Sequence, residues 1–407
     1  MNQSTARGRP GARPIRQDDI RRHNLGRLLG QVHRHGELTR ADLTQRLNLS
    51  RSTIGALVAD LTELGLLDET VPVGGERVGR PSHVVGPRPD GPYAIAVDID
   101  VTHVSTAAVG IGGFVLAIHD VPTGLRSSSP VTIAALIVSA CDELAAKVPD
   151  GAWPIGIGVS VPGTVTSSDG TVELAPNLGW RDEPFGQLLA GLAPPNLPIS
   201  VGNDADLAVM AEHMRGAGRG CNDLIYLAGR IGVGAGVIAN GAPLRGFMGH
   251  AGEVGHNVVD ASGPRCHCGR RGCVETYIGD KALLKLAGRR VSPTIAHMTE
   301  VFAAAELGDV RAAAAVRTVA VALGQTIGSL VNILNPEKVI LGGSLAGVFG
   351  FARPELEAAL VAHTMMTDRE AVELCAPGLG NDSTLLGAAE LAFARLFADP
   401  LDQSSQS

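Results

Sequence analysis

The sequence has few aromatic residues and lacks the features of an exported or membrane-spanning protein. Aromatic side chains make up only 3% of its 407 residues, whereas hydrophobic residues make up 45% and glycines number 52. No apolar run reaches the roughly 20 residues that span a bilayer, and the first residues do not have the pattern of a secretion signal. We therefore expect a cytoplasmic protein of two or three domains with an α/β fold rich in turns.

Cysteine is also scarce, but it is not scattered. Three of the six cysteines lie in the eight residues "CHCGRRGC", from Cys266 to Cys273, and the others are far apart in the sequence. Disulfides are uncommon in the cytoplasm. Because reduced cysteines that serve only as core hydrophobes do not cluster, this loop needs a chemical explanation.

Charge is distributed unevenly along the chain. Residues 1–90 contain 14 arginines, no lysine and 10 acidic residues, a net charge of +4, so the rest of a chain with a total charge of −7 carries −11. A basic segment in front of an acidic body is weak support for a nucleic-acid partner, because a solvated basic surface has the same composition. The order of residues along this segment is needed to choose between a nucleic-acid partner and a solvated surface.

The segment from Thr39 to Gly65 has the pattern of a helix-turn-helix. Thr39 with Asp42 three residues later is typical of the start of one helix, and Ser50 of the start of a second. Gly65 stands where the second helix needs a left-handed residue to end. The apolar face of the second helix consists of Ile54, Leu57, Leu61 and Leu64. With an apolar helix before it and two short strands around Gly74 after it, the segment is predicted to be a winged helix.

The N-terminal turn of the second helix is the part of such a unit that enters the major groove of DNA. This predicts that Arg51, Ser52, Thr53 and Gly55 approach the bases, and that Arg80 in the wing reaches the minor groove. A glycine inside a helix costs about 1 kcal/mol relative to alanine, so we attribute Gly55 to close approach of DNA. The alternative is a protein-interaction fold whose arginines are only solvated.

The rest of the chain has the pattern of an α/β body. Strand-like runs, "YAIAVDID", "VSTAAV" and "FVLAIHDV", precede an amphipathic helix near residues 131–147 and a buried strand, "PIGIGVSVPG". A similar order begins again at "PISVGNDADLAVMAEHM" and continues through "DLIYLAGRIGVGAGVIANG" to "KVILGGSLA". The repetition predicts two α/β lobes with a cleft.

Within this body, "HAGEVGHNVVDASGPRCHCGRRGC", followed by Glu275, resembles the signature of the ROK family of sugar kinases and sugar-responsive repressors. The resemblance covers essentially the whole chain and implies a two-lobed, actin-like ATPase fold behind the winged helix. The winged helix itself resembles the repressor branch of the family, of the xylose-repressor kind. The family signature also implies a zinc ion bound by a Gly-His and by Cys-x-Cys-x-x-x-x-Cys.

The zinc ligands implied here are His256, Cys266, Cys268 and Cys273. One imidazole and three thiolates are a set that a tetrahedral structural zinc takes, and His267 cannot easily share the metal with both adjacent cysteines. Such a closed site has no open coordination position, so we expect one zinc per chain that holds its loop still. The alternative is three free thiols in a loop.

The resemblance also implies a sugar site. ROK proteins grip a hexose with a Glu, a His and a Glu together with an Asn-Asp pair, and this chain keeps those residue types. The predicted sugar-binding residues are Asn177, Asn203, Asp204, Glu253, His256 and Glu275. A ring of buried acceptors without a ligand is costly, although any one of them can serve as a loop cap.

The nucleotide loops argue against catalysis. ROK kinases show Asp-x-Gly-Gly-Thr-Lys where this chain has "DIDVTH", with Asp100 and Val101 at the glycines. Asp100 would face phosphate, and like charges about 4 Å apart repel by roughly 4 kcal/mol at an effective dielectric near 20. Glycines of "RIGVGAG" resemble the second phosphate loop, but a tight hairpin needs the same residues. In an active kinase Asp204 would be the general base.

We therefore predict a cytoplasmic, sugar-responsive repressor of carbohydrate metabolism genes that binds operator DNA, a sugar or sugar-phosphate effector and zinc, as a homodimer or higher homo-oligomer. It is expected not to be an enzyme, with residual kinase activity left open. Two alternatives are an active ATP-dependent sugar kinase with a DNA-binding domain and a regulator with a protein effector. The predicted organisation is a flexible basic arm (1–18), a winged helix (19–88), two lobes (92–204 and 205–400, the final helix possibly returning to the first lobe) and a disordered tail (401–407).

Overall fold

The computed structural model describes residues 17–71, 83–122, 129–291, 295–365 and 372–405. They form two compact units. The first takes its residues from Met1–Arg88 and Ala394–Ser407, and the second is Pro89–Phe393.

The first unit is a winged helix. Its N-terminal elements are α1 (Gln17–His35), β1 (Leu38–Thr39), α2 (Arg40–Leu47), α3 (Arg51–Glu63), β2 (Leu67–Thr70) and β3 (Val84–Pro87). The three strands pair antiparallel in the order β1-β3-β2. The wing turn, with Gly74 and Arg80, lies outside the described residues. The predicted helix-turn-helix and its two following strands are confirmed.

Local chemistry explains why the helices begin and end at these residues. Thr39 and Asp42 form a complete capping box, in which each side chain accepts from the other residue's backbone N–H. Ser50 Oγ accepts from the backbone N–H of Thr53 at 3.1 Å and caps α3. Gly65 follows α3 with φ +71°, the left-handed conformation that the sequence predicts.

The end of the chain completes this unit. Helix α12 (Ser383–Ala398) contributes its last residues to the first unit, and a 3-10 helix, Pro400–Ser405, follows it. The Phe397 ring lies 4.6 Å from the buried His33 ring of α1, and Arg22 forms an ion pair with Asp399. A Cβ atom at Gly26 would lie 2.0 Å from the carbonyl oxygen of Phe397, so only glycine permits this approach.

Two predicted boundaries differ from the structure. Helix α1 begins at Gln17, within the range assigned to the flexible arm, and residues 401–405 belong to a 3-10 helix in place of a disordered tail. Arg395 Nη2 donates to Asp402 at 2.8 Å and the backbone N–H of Leu401 donates to Asp399 at 3.1 Å. These contacts with the preceding helix hold the segment in order. The lobe boundaries stay a prediction.

The first half of the second unit is built on a five-stranded mixed sheet, ordered β11-β7-β4-β5-β6, with a small three-stranded sheet, β10-β9-β8, beside it. Its elements are β4 (Pro92–Ile99), β5 (His103–Gly110), β6 (Val115–Pro122), α4 (Pro130–Ala145), β7 (Trp153–Val161), β8 (Thr164–Thr166), β9 (Thr171–Ala175), β10 (Trp180–Glu183), α5 (Phe185–Leu192) and β11 (Ile199–Asn203).

The second half repeats the plan with a sheet ordered β14-β13-β12-β15-β16. Its elements are α6 (Asp204–Arg215), β12 (Leu224–Gly229), β13 (Val233–Ala239), β14 (Ala242–Pro243), α7 (Glu275–Ile278), α8 (Asp280–Leu286), α9 (Ile295–Glu306), α10 (Val310–Leu334), β15 (Lys338–Gly343), α11 (Ser344–His363) and β16 (Glu373–Cys375), with 3-10 turns at Val254–His256 and Gly380–Asp382. In both large sheets an antiparallel hairpin continues into parallel strands. The predicted repeat is therefore confirmed.

Each large sheet has its own apolar core. In the first, Ile95, Val97 and Val159 pack with Ile133 and Ile137 of α4. In the second, α11 packs on strands β12 and β15, and α10 packs on α11. Helix α10 is long and apolar enough to cross a membrane by length and composition, a run that the sequence analysis did not recognise, but 61% of its most apolar window is buried in this core.

Candidate functional site

The cysteine loop brings four metal-binding side chains together. The ligand atoms of His256, Cys266, Cys268 and Cys273 all lie within 4.8 Å of one another. Cys268 Sγ is 3.6 Å from Cys273 Sγ, and Cys266 Sγ is 3.7 Å from His256 Nδ1. Zinc–sulfur bonds of about 2.3 Å place two thiolates on a tetrahedral ion roughly 3.8 Å apart. The donor set and its spacing therefore fit one zinc ion.

Two glycines shape this loop. Gly269 and Gly272 have φ of +91° and +67°, and a Cβ atom at Gly272 would lie 1.6 Å from the Asp260 carbonyl oxygen. The backbone N–H of Cys268 points at Cys266 Sγ over 3.4 Å. Burial opposes ionisation of Cys268, but hydrogen bonds from the backbone and side chain of Arg270 lower its pKa to about 6. Burial raises the pKa of Cys266 and of Cys273, so the loop places three sulfur atoms close together and Cys268 is the most readily ionised of them.

His267 lies beside the four ligands, with its Nδ1 3.9 Å from Cys266 Sγ, and pairs with Glu275. Its Nδ1 lies 2.7 Å from Glu275 Oε1, which also accepts from Cys266 Sγ at 3.0 Å. A second possible metal-binding group, His256, His267 and Glu275, shares only His256 with the first. Since Glu275 begins α7, this contact ties the cysteine loop to the wall of the neighbouring cavity.

That cavity, which we call the effector cavity, has a volume of about 690 Å³. All six predicted sugar-binding residues line it, together with Arg181, Arg230, His250, Arg270 and backbone of the glycine-rich β12–β13 turn. They come from the β9–β10 hairpin, the start of α6, the Val254–His256 turn and α7. The fold therefore brings together residues that are up to 98 positions apart in the sequence, Asn177 and Glu275.

The Asn203–Asp204 pair is fixed at the start of α6. Asn203 Oδ1 accepts from the backbone N–H groups of Ala205 and Asp206, and its Nδ2 donates to the Gly163 carbonyl at 3.0 Å. Asn203 is thus a helix cap, and its second amide N–H donates to Asp204. Asp204 Oδ1 accepts from Ala205 N at 2.9 Å and from Asn203 Nδ2 at 3.0 Å, which leaves Oδ2 for a ligand.

Burial makes this carboxylate a strong acceptor. Burial raises the pKa of Asp204 to about 6, against the attraction of Arg230 and with added repulsion from Asp98. Asp206, one turn away from Asn203, has its pKa raised to about 7, also mainly by burial. Perturbed carboxyl groups beside a cavity are typical of binding and catalytic sites.

An arginine fills the place that the sequence assigns to the first phosphate loop. Arg230 Nη1 lies 3.2 Å from Asp100 Oδ2 and 3.4 Å from Asp98 Oδ2. Asp100 Oδ1 meanwhile accepts from the backbone N–H and hydroxyl of Thr102 and closes the β4–β5 turn. A second cavity of about 490 Å³ adjoins the first at this ion-pair group, since Asp100, Asp204 and Arg230 line both cavities.

The glycines of "RIGVGAG" have a packing explanation. A Cβ atom at Gly236 would lie 2.2 Å from the Ala205 carbonyl oxygen, and one at Gly234 would lie 3.3 Å from Ala205 Cβ. Helix α6 crosses β13 at these two residues. The third, Gly232, has Glu275 Oε2 at 3.3 Å from the position of a Cβ atom. Close approach of α6 therefore requires small residues here without any phosphate.

The N-terminal turn of α3 is exposed to solvent. Arg51 and Ser52 are exposed, Thr53 and Gly55 are partly exposed, and Arg51 has no ion-pair partner in the described parts of the chain. The guanidinium of Arg40, which pairs with Glu69, lies 3.3 Å from the position of a Cβ atom on Gly55. Gly55 therefore has a close neighbour inside the unit as well as its predicted role at DNA. Arg80 lies outside the described residues.

Comparison with known proteins identifies the second unit. A family model described as "ROK family" matches residues 94–395. The chain belongs to the ROK family. A model described as "MarR family" matches residues 26–77, which hold the helix-turn-helix in front of the ROK body. The predicted family and fold class are confirmed.

Relatives of two kinds are similar to this ROK protein. The xylose repressor of Bacillus spizizenii is 27% identical over 376 residues, 92% of this chain and 96% of the repressor. The glucokinase of Halalkalibacterium halodurans is 30% identical over 72% of this chain and 93% of the kinase. A crystal structure of a ROK family transcriptional regulator, a homologue of the E. coli Mlc protein, matches with a TM-score of 0.79 at 23% identity, over 96% of this chain and 100% of that one.

Sequence reasoning missed several groups of the ROK body that the structure brings to the cavities. Asp280 lines the second cavity, and no local motif marks it. Arg230 begins "RIGVGAG", but nothing near it in the sequence marks Asp98 and Asp100 as its partners. Arg181 lies on a short strand that the sequence analysis did not predict. The alternation around "VELAPNLGWRDE" is the signal that could have found the β9–β10 hairpin.

Proposed function

We propose that the protein is a sugar-responsive, DNA-binding transcriptional repressor of carbohydrate metabolism genes, whose ROK body binds a sugar effector without efficient phosphorylation. One observation carries the proposal: the same chain holds an open recognition helix and a polar cavity of sugar size, and its similarity to xylose repressors extends over both. A kinase needs only the second of these features.

The effector cavity has the chemistry of a sugar site. Asp204 Oδ2, Glu253 and Glu275 offer acceptors, His256 keeps one ring N–H to donate when its other nitrogen binds zinc, and Asn177 offers both a donor and an acceptor. Burial strengthens Asp204 and Glu275 as acceptors because water competes less well there, whereas Glu253 is exposed. A ligand covered with hydroxyl groups satisfies such a ring, whereas an apolar ligand leaves it unpaired.

The ion-pair group around Arg230 supports loss of phosphorylation. ATP binding in the second cavity requires backbone N–H groups and cations facing the phosphates. Here the carboxylates of Asp98 and Asp100 take that place, and the guanidinium that could attract phosphate is already paired with them. Asp204 remains as a base, so the proposal locates the defect in nucleotide binding and leaves proton transfer intact.

A structural zinc ion at His256, Cys266, Cys268 and Cys273 is part of the proposal. When bound, zinc supplies four fixed bonds and no open position for a reactant. The ion pair between Glu275 and His267, which lies between two of the ligands in the sequence, then fixes one wall of the effector cavity. The ion's role is to hold that wall in place.

We further propose a cytoplasmic homodimer. A single recognition helix contacts few base pairs, and two copies on half-sites about one helical turn apart multiply those contacts. Arg51, Ser52, Thr53 and Gly55 are the residues proposed to approach bases, with Arg80 of the wing in the minor groove. An effector that favours one arrangement of the two lobes then alters DNA affinity by its differential binding.

The test combines DNA binding with enzyme assay on one preparation. Operator sequences are selected from random duplexes with the full-length protein, and their affinity is measured by gel shift with and without a panel of pentoses, hexoses and their phosphates. We expect at least one sugar to change the affinity by about fivefold or more without ATP. Arg51→Ala should lose selection, whereas Arg27→Ala, an exposed arginine of α1, should keep it.

The kinase alternative is supported by Asp204 and by the glucokinase relatives. Release of ADP that depends on sugar, at about 1 per second or faster, would establish it in place of a purely regulatory body. Absence of any sugar effect on binding or on DNA release would favour a protein effector.

A further inference from the structure

The effector cavity is lined by three arginines as well as by acceptors. Arg181, Arg230 and Arg270 contribute guanidinium groups to its wall. A neutral sugar is satisfied by the acceptors already described, so the number of cations needs a separate explanation. The three arginines differ in whether an anionic side chain of the protein pairs with them.

Two of the arginines are matched by anions of the chain. Arg230 pairs with Asp98 and Asp100 at 3.4 and 3.2 Å. Arg270 lies in the cysteine loop, where its side chain hydrogen-bonds to Cys268. Both guanidinium groups thus neutralise carboxylates or thiolates and have little charge to offer a ligand.

Arg181 is different. It lies on β10, opposite Leu174 of β9, in the hairpin that also brings Asn177 to the cavity. Its side chain is exposed, and it has neither an ion-pair nor a hydrogen-bond partner in the described parts of the chain. The acidic residues that follow it, Asp182 and Glu183, are not among those that line the cavity.

The histidine side chains of the cavity do not provide another cation that is open to a ligand. His250 Nε2 lies 3.0 Å from Glu173 Oε2 and His267 pairs with Glu275. His256 is a proposed zinc ligand. After these pairings, Arg181 is the cation of the cavity wall that remains open to a ligand, on the same hairpin as Asn177.

We infer that the effector is an anionic sugar, whose ring hydroxyls are bound around Asp204 and whose anionic group is bound by Arg181. The inference rests on the proposed function, because it assumes that a sugar occupies this cavity. A guanidinium presents parallel N–H donors that match two oxygens of a phosphate or a carboxylate, which a neutral hydroxyl cannot provide. The shared chemistry is a monosaccharide with a terminal phosphate or carboxylate.

The experiment measures binding of matched pairs to the full-length, zinc-loaded protein by calorimetry, without DNA or ATP. The pairs are xylose with xylose 5-phosphate, glucose with glucose 6-phosphate, and glucose with glucuronate. We expect the anionic member of at least one pair to bind tenfold or more tightly, since a charge-assisted hydrogen bond has about that effect. The phosphate and glucuronate arms separate the two sources of the anion.

Two variants test the assignment to Arg181. Arg181→Gln should weaken binding of the anionic member at least tenfold and that of the neutral member less than threefold. Arg219→Gln, which removes an exposed arginine outside the cavity, should leave both unchanged. Thermal melting checks that both variants are folded, as their exposed positions lead us to expect.

The outcomes are distinguishable. Equal or tighter binding of the neutral sugars overturns the inference and leaves the proposed function intact. Preference for the anion that survives in Arg181→Gln also overturns it. If no member of any pair binds, the proposed sugar effector itself fails.

Discussion

Replacing Asp204 by asparagine should make the protein more stable at neutral pH while weakening its ligand site. Burial raises the pKa of this carboxyl from an ordinary value of 3.8 to about 6. The folded state therefore resists ionisation, and at neutral pH the ionised carboxylate lowers stability. Two pKa units correspond to about 3 kcal/mol, which is the upper limit of the gain when the charge is removed.

The asparagine should fit the same place. Its Oδ1 can still accept from Ala205 N and Asn203 Nδ2, the two hydrogen bonds that Asp204 Oδ1 makes. The pKa of about 6 already includes the attraction of Arg230 for the carboxylate, so we expect a net gain of roughly 1–3 kcal/mol, which is a rise in melting temperature of a few degrees for a unit of this size. Sugar binding should fall about tenfold because an anionic acceptor is lost.

The pH dependence provides the sharper check. The cost of ionised Asp204 is fully present above its folded pKa of about 6 and disappears as pH falls towards the unfolded value of 3.8. Melting temperatures of wild type and Asp204→Asn should thus differ most at pH 7.5 and converge as pH approaches 4.5. Asp142→Asn, an exposed aspartate of α4, serves as control. A variant less stable than wild type at pH 7.5, or a difference independent of pH, would refute the reasoning.

Three further predictions concern the other parts of the molecule. Arg51→Ala should weaken operator binding tenfold or more in gel shifts, because a base-reading arginine contributes about 1–3 kcal/mol. If Arg51→Ala and Arg27→Ala bind the operator equally well, the N-terminal turn of α3 does not contact the bases as proposed. Elemental analysis should find about one zinc per chain, and Cys268→Ser should lose it and weaken sugar binding more than DNA binding; a fresh preparation without zinc would contradict this site. Phe397→Ala should destabilise the winged helix by about 1–3 kcal/mol because the ring packs against His33, and an unchanged melting profile would show that the end of the chain contributes nothing to that unit.

Local chemistry made the winged helix predictable. The capping side chains of Thr39 and Ser50 and the left-handed Gly65 act within a few residues, so their pattern in the sequence already contains the geometry. The cysteine loop is predictable for the same reason, since three of its four proposed ligands lie within eight residues.

Groups joined only by tertiary structure were not predictable. Nothing near Arg230 in the sequence marks Asp98 and Asp100, 132 and 130 positions away, as its partners. The glycines of β13 suggested a phosphate loop because the helix that crosses them is not visible in a single sequence. Arg181 was missed because β10 has only four residues, which is short for a strand to be predicted from its pattern.

The return of the chain's last helix to α1 has a consequence during synthesis. Residues 17–71 leave the ribosome early, but Phe397 and Asp399, which pack on α1, follow more than 300 residues later. At about 5–20 residues per second, the winged helix waits roughly 15–60 s for its last contacts. A chain that terminates prematurely carries the recognition helix without this support, so full stability of the DNA-binding unit is reserved for chains whose regulatory body has already been made.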